Sequence, residues 1–167
     1  RMLRDSDLRR GDARAARARY VRAFPELLEQ GDPRVDEVNY SAAVDLALVL
    51  QVSGEPEQAA QLLEATERVL GRLPQLGAGG YGITEAQIHA LRGDTAKAMN
   101  ALREAEKAGW RGPFWRYHRD IDLALDSIRN EPGFKAVFAD IERDMARQRA
   151  ELAKRAKDAP RDGDTAG

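Results

Sequence analysis

Few residues in this chain have the types and spacing to carry chemistry. Gly77-Ala78-Gly79-Gly80-Tyr81-Gly82 satisfies G-x-G-x-x-G, the spacing with which a backbone wraps a pyrophosphate at a helix N-terminus. That chemistry needs a buried strand ahead of the glycines. Here Arg72-Leu73-Pro74-Gln75-Leu76 follows a helical pattern instead, so a flexible entry into the next helix is expected. His89 and His118 are the only histidines, and neither reads as having a carboxylate at a helical ligand spacing, so no metal face is expected. His89 falls at an inner position and is expected to be a packed core histidine with one nitrogen satisfied. Asp120 and Asp122 stand two apart on an expected helix and so face different ways. With no base placed beside a nucleophile, catalytic residues are expected to be absent, and a cofactor likewise. Trp110, Trp115 and Tyr117 could line a subsite for a peptide or sugar, but large aromatics also fill the end of a helical stack, and that is the expectation. Asn39-Tyr40-Ser41 matches a glycosylation acceptor but opens a helix.

The elements that must position these residues are expected to be helical throughout. The chain has 167 residues, enough for one domain; 43% are apolar and 33% charged, too apolar for disorder and too charged for a membrane span. Ala, Leu, Glu and Arg dominate while strand formers are scarce, which predicts an all-α fold. Cysteine is absent, which removes thiol nucleophiles, disulfides and cysteine-based zinc sites but does not choose between cytoplasm and periplasm. The net charge of −1 gives no reason to expect nucleic acid or an anionic bilayer as partner. Its distribution is uneven: residues 1–22 carry net +5 and residues 26–67 net −9, either a partner face or a means for successive helices to attract one another. No leader or long apolar run is evident. Residues 1–156 read as one helical domain and 157–167 as a disordered tail, together a C-terminal piece of something longer.

Three segments superimpose on a glycine. Gly11-Asp12 is followed by Ala16, Tyr20 and Ala23, Gly54-Glu55 by Ala59, Leu63 and Thr66, and Gly93-Asp94 by Ala98, Leu102 and Ala105, at offsets of five, nine and twelve. Gly and the acid end one helix and begin the next, while a small residue and then a large one on one face let the preceding helix approach and fill the groove beside it. The pattern predicts helices near 1–10, 13–30, 37–53, 56–72, 82–92, 95–108, 115–129 and 132–156. The excess length between repeats is placed in the connectors Gln30-Gly31-Asp32-Pro33 and Leu73 through Gly82. An aromatic-rich end with Phe134, Val137, Phe138, Ile141 and Met145 on one stripe reads as the cap.

Ala16-x3-Tyr20, Ala59-x3-Leu63, Ala98-x3-Leu102 and the Ala43-x2-Leu46-Ala47-x2-Leu50 run before Gly54 resemble the tetratricopeptide repeat. Across residues 36–150, Asn39 to Ala47, Leu76 to Ile83, Ala108 to Arg111 and Ser127 to Phe134 are similar to C-terminal repeat regions of bacterial membrane-tethered winged-helix regulators and class III adenylate cyclases. The resemblance implies a right-handed α-solenoid of about three hairpins with C-terminal capping helices, acting as a non-catalytic protein- or peptide-binding or sensory module of a signalling protein. Carried over position by position, the family's groove-facing residues are Asp5, Arg9, Ser41, Asp45, Leu48, Gln51, Thr84 and Gln87. A basic or amide-rich peptide suits that surface best. The alternative is a structural module that makes its parent a homodimer.

Overall fold

The computed structural model describes residues 1–29, 32–76 and 81–158. Regular structure among them is entirely helical: α1 (Met2–Arg9), α2 (Ala13–Ala23), α3 (Tyr40–Val52), α4 (Pro56–Leu70), α5 (Thr84–Leu91), α6 (Thr95–Lys107), α7 (Trp115–Asp120) and α8 (Pro132–Asp158), with 3-10 segments at Pro25–Leu28 and Leu123–Ile128. The connector residues Gln30 and Gly31, the glycine motif from Gly77 to Gly80 and the tail beyond Asp158 lie outside the described residues.

The repeated glycine does the same job each time. Gly11, Gly54 and Gly93 have φ of 76°, 80° and 75°. The next residue's N–H donates five residues back, from Asp12 to Asp7, Glu55 to Leu50 and Asp94 to His89, at 2.9–3.0 Å. This is the left-handed C-cap of a Schellman turn. Asp12 and Asp94 then cap the following helix by accepting from Ala15 and Lys97, while Glu55 makes no side-chain cap and is followed by Pro56 in the first turn. A fourth such turn ends α6, where Gly109 has φ 90° and Trp110 N–H reaches Ala105 O. No acid follows it, and the chain runs on without a paired helix. A Cβ at Gly93 would meet nothing within 4 Å, so only the backbone objects to a side chain there. Gly93→Val is therefore expected to cost about 1–2 kcal/mol or more, and Gly93→Asn less, because Asn tolerates this region. Equal denaturation midpoints for the two variants would remove that explanation.

The turns pair α1 with α2, α3 with α4 and α5 with α6, and the first helices form a row in which α1 touches α3, α3 touches α5, and α5 touches the Leu123–Ile128 segment. Ala16, Ala59 and Ala98 are fully buried, as are Leu63 and Leu102 almost completely. Ala59→Leu and Ala98→Leu should each overpack such a contact and cost about 1–3 kcal/mol in thermal or chemical melts; unchanged melting in both would reject the register. Two apolar clusters result. One runs from Ala16 through α3 and α4 to Ile88, and the other joins Ile83, Ala86 and α6 to Trp115, Leu125, Phe134 and Phe138.

Several expected boundaries are corrected. The 13–30 helix stops at Ala23, because Pro25 disfavours helical backbone at Phe24, whose φ is −142°. Ala23 is consequently exposed while Thr66 and Ala105, its counterparts, are buried. The 115–129 helix breaks after Asp120, where extended Asp122 caps the 3-10 segment by accepting from Ala124 N. Ile121 is exposed as a result, while Leu125 and Ile128 stay buried. α3 begins at Tyr40 and α5 at Thr84, two or three residues later than expected. α8 extends through Asp158, past the expected end at 156; it packs through Phe134, Val137, Phe138 and Ile141, and residues 146–156 are exposed.

Candidate functional site

The polar residues of the helix row converge on one arginine. Arg4, on α1, is 1% exposed. Its Nε donates to Asp5 at 2.7 Å, one Nη donates to Asp45 on α3, and the other reaches Tyr117 and Asp122, each at 3.1 Å. Tyr117 donates to Asp5, and Tyr20 on α2 donates to Asp45 at 3.2 Å. Arg1 Nε also meets both Asp45 oxygens at 3.0 Å, and its Nη2 donates to Ser41 Oγ at 2.6 Å. Burial opposes the Arg4 charge, yet Asp45, Tyr117, Asp5 and Asp122 outweigh it and hold the guanidinium ionised more firmly than usual. Burial and adjacent carboxylates push the Tyr20 and Tyr117 phenols up, so both remain donors.

Asp122 is the second node and is wholly buried. Its Oδ1 accepts from Arg4 and from Ala124 N; its Oδ2 accepts from Gln87 Nε2 at 2.6 Å and pairs with His118 Nδ1 at 2.8 Å. Burial works to raise this carboxyl, but the His118 hydrogen bond and the charges of His118, Arg4 and Arg1 prevail and hold it well below the usual carboxylate range. The expectation that neither histidine has a carboxylate at helical spacing is thus corrected, since His118 and Asp122 are four residues apart and bonded. The buried histidine is His118 and not His89, which is half-buried. Asp120 does face elsewhere, pairing with Arg119 at the surface.

Four of the eight expected groove residues meet here. Asp5, Ser41, Asp45 and Gln87 belong to the cluster, with Asp5, Asp45 and Gln87 buried rather than presented to solvent. Thr84 is buried and donates to Tyr81 O, Gln51 donates to Leu91 O at 2.9 Å, and Leu48 lies in the apolar interior. Arg9 is exposed and donates to Ile121 O at 3.1 Å. The expected aromatic trio separates: Trp115 is core, Tyr117 joins the polar cluster, and half-buried Trp110 stands edge-on to His118 with ring centroids 5.6 Å apart. Asn39 is 3% exposed, with its amide nitrogen donating to Glu26 and Arg34 O, so it is no accessible glycosylation acceptor. The uneven charge is spent within the chain at several points: Arg1 and Arg4 reach Asp45, and Arg17 pairs with Glu55 at 3.4 Å.

Beside the cluster lies a cleft of about 290 Å³, lined by Arg1, Ser41, Tyr81, Thr84, Gln87, Trp110 and His118 among others. Gln87 is its floor. Because the Gln87 amide nitrogen must face the Asp122 carboxylate, Oε1 is turned away from Asp122, and this buried oxygen has no hydrogen-bond partner. In a neutral His118 ring the same carboxylate fixes Nδ1 as donor and leaves Nε2 to accept. Among the described residues no group of three or more His, Cys, Asp or Glu side chains is placed to hold a metal, and no helix is long and apolar enough to cross a membrane. Comparison with known proteins found no matching family model, no matching curated protein and no matching solved structure.

Proposed function

We propose that this chain is a non-catalytic binding module: a right-handed tetratricopeptide-like solenoid of three helical pairs, closed by α7 and α8, that takes a peptide segment at the face of its first helices. It would serve a larger bacterial signalling or regulatory protein. Three equivalent Schellman turns, the buried alanine five residues after each glycine and the row of first helices support the architecture. One observation carries the binding role. The cleft beside α3 and α5 is lined in part by Gln87, whose buried amide oxygen has no hydrogen-bond partner, a costly feature that a ligand donor reaching it would relieve. Arg4 and its partners already fill the adjoining face, which leaves a cleft near the lower edge of the ~300–1,000 Å³ typical of ligand pockets. That favours a single inserted side chain over a second copy of the chain.

The test is selection of peptides from a random displayed pool on the immobilised chain, followed by titration of the resynthesised peptides. Ser41→Phe, which fills the cleft, should abolish saturable binding while leaving the helical circular dichroism intact. Peptides held equally by both proteins, or a stable dimer in light scattering that excludes them, would overturn the proposal.

A further inference from the structure

Resting on that reading, we infer that the cleft takes the carboxylate of an acidic side chain on the bound peptide. Burial of Asp45 reverses the charge of this face. The expectation of a basic or amide-rich ligand rested on Asp45 lying open to the groove, but its carboxylate is covered and accepts from Arg1, Arg4 and Tyr20. The charge left at the cleft is that of Arg1, whose side chain is 25% exposed, and among the described residues no Asp or Glu lines the cleft. Arg1 spends Nε and one Nη on Asp45 and Ser41, while its other Nη engages no acceptor among the described residues. A second donor stands in the same lining. The indole N–H of half-buried Trp110 has no hydrogen-bond partner among the described residues and is not sealed from solvent. Gly82 and Gly112, which line the cleft with it, leave this N–H uncovered, since a Cβ on them would stand 2.8 and 3.2 Å from Nε1 respectively. The first turns of α3 and α5 also meet the cleft, at Ser41 and Thr84, and neither helix is capped by the side chain of its N-cap residue. The positive ends of two helix dipoles therefore add to the Arg1 charge. A guanidinium and an open N–H with no carboxylate beside them suit an anion that only accepts, and the carboxylate is the side chain of that kind. In such a complex a backbone N–H of the peptide, not the inserted group, is the donor that would meet the Gln87 oxygen.

The probe is Nα-acetyl-glutamate methylamide, followed through the indole N–H signal of Trp110 in the full chain, with Trp115 as the internal control. The neutral isostere Nα-acetyl-glutamine methylamide and Nα-acetyl-alanine, whose only carboxylate is that of a chain end, are titrated alongside. Saturable movement of the Trp110 signal by the glutamate compound is expected, with the other two at least about tenfold weaker. Its affinity should fall as salt is added, because the Arg1 charge is partly exposed. Arg1→Gln should weaken glutamate binding about tenfold with the Trp115 signal unmoved. Should that variant fail to fold, Gly112→Ala, which sets a methyl group against the indole N–H, carries the same expectation. Equal affinity for the glutamate and glutamine compounds, saturation by the alanine compound alone, no saturation, or movement of Trp115 alone overturns the inference. Displayed peptides that bind the cleft without any acidic residue would overturn it too, while leaving the binding-module proposal standing.

Discussion

Arg4→Met is expected to destabilise the fold by about 3–5 kcal/mol, the usual result of removing one partner from a buried ionic cluster, and to lower the melting temperature on the order of 10 °C. The methionine fills the space but leaves Asp5, Asp45 and Asp122 buried near one another without their shared cation. The pH dependence distinguishes this cause from lost packing. Asp122 is held below the usual carboxylate range in the folded protein, so its contribution is complete above the unfolded value of about 3.9 and is lost as pH falls toward the folded value. Wild type should therefore lose stability on acidification, and the variant, whose Asp122 has lost the Arg4 charge, should lose less. The two stability curves are expected to converge below about pH 4. A gap that is constant with pH would assign the loss to packing alone.

Gly82→Val is expected to be the next most damaging substitution, at about 2–4 kcal/mol from two independent sources. The backbone at Gly82 has φ 57°, and a Cβ there would stand 2.8 Å from Trp110 Nε1. Gly112 also lies against the same indole, with its Cβ position 3.2 Å from Nε1. Chemical denaturation of Gly82→Val, Trp110→Phe and the double variant separates the sources. The steric part should shrink when the indole is replaced by the smaller ring, whereas the backbone part should persist. Additive effects would mean that the indole contributes nothing to the cost.

The turns and the small-residue contacts were legible in the sequence because both depend on one residue type at one spacing. Only Gly adopts the turn without cost, and only a small side chain lets two helices approach as they do at Ala16, Ala59 and Ala98. The helix breaks were less legible. Phe24-Pro25 carries a local signal, while the break at Ile121-Asp122 follows from Asp122 being bonded to residues far away in the sequence. The polar cluster was half legible. Position in the repeat selected Asp5, Ser41, Asp45 and Gln87 and marked Tyr20 as a groove filler, but the partners Arg1, Arg4, Tyr117, His118 and Asp122 did not emerge from it. Two signals were present: Arg1, Arg4 and Asp5 fall at spacings of three and four on one helix, and Asp45 is the one charged residue between Glu37 and Glu55. A lone carboxylate inside an apolar run must find a buried partner or remain neutral. Which cation would serve it depends on how α1 sits against α3, and no spacing within either helix encodes that.

Arg4 joins its partners Tyr117 and Asp122 across 113 and 118 residues of chain, whereas each helical pair closes within a few tens. Contacts so distant in sequence form late on the way to the native state, after the pairs have gained what local packing offers. The cluster therefore acts as a latch on the escape route: weakening it should shorten the lifetime of the native state while leaving the speed of its formation nearly unchanged.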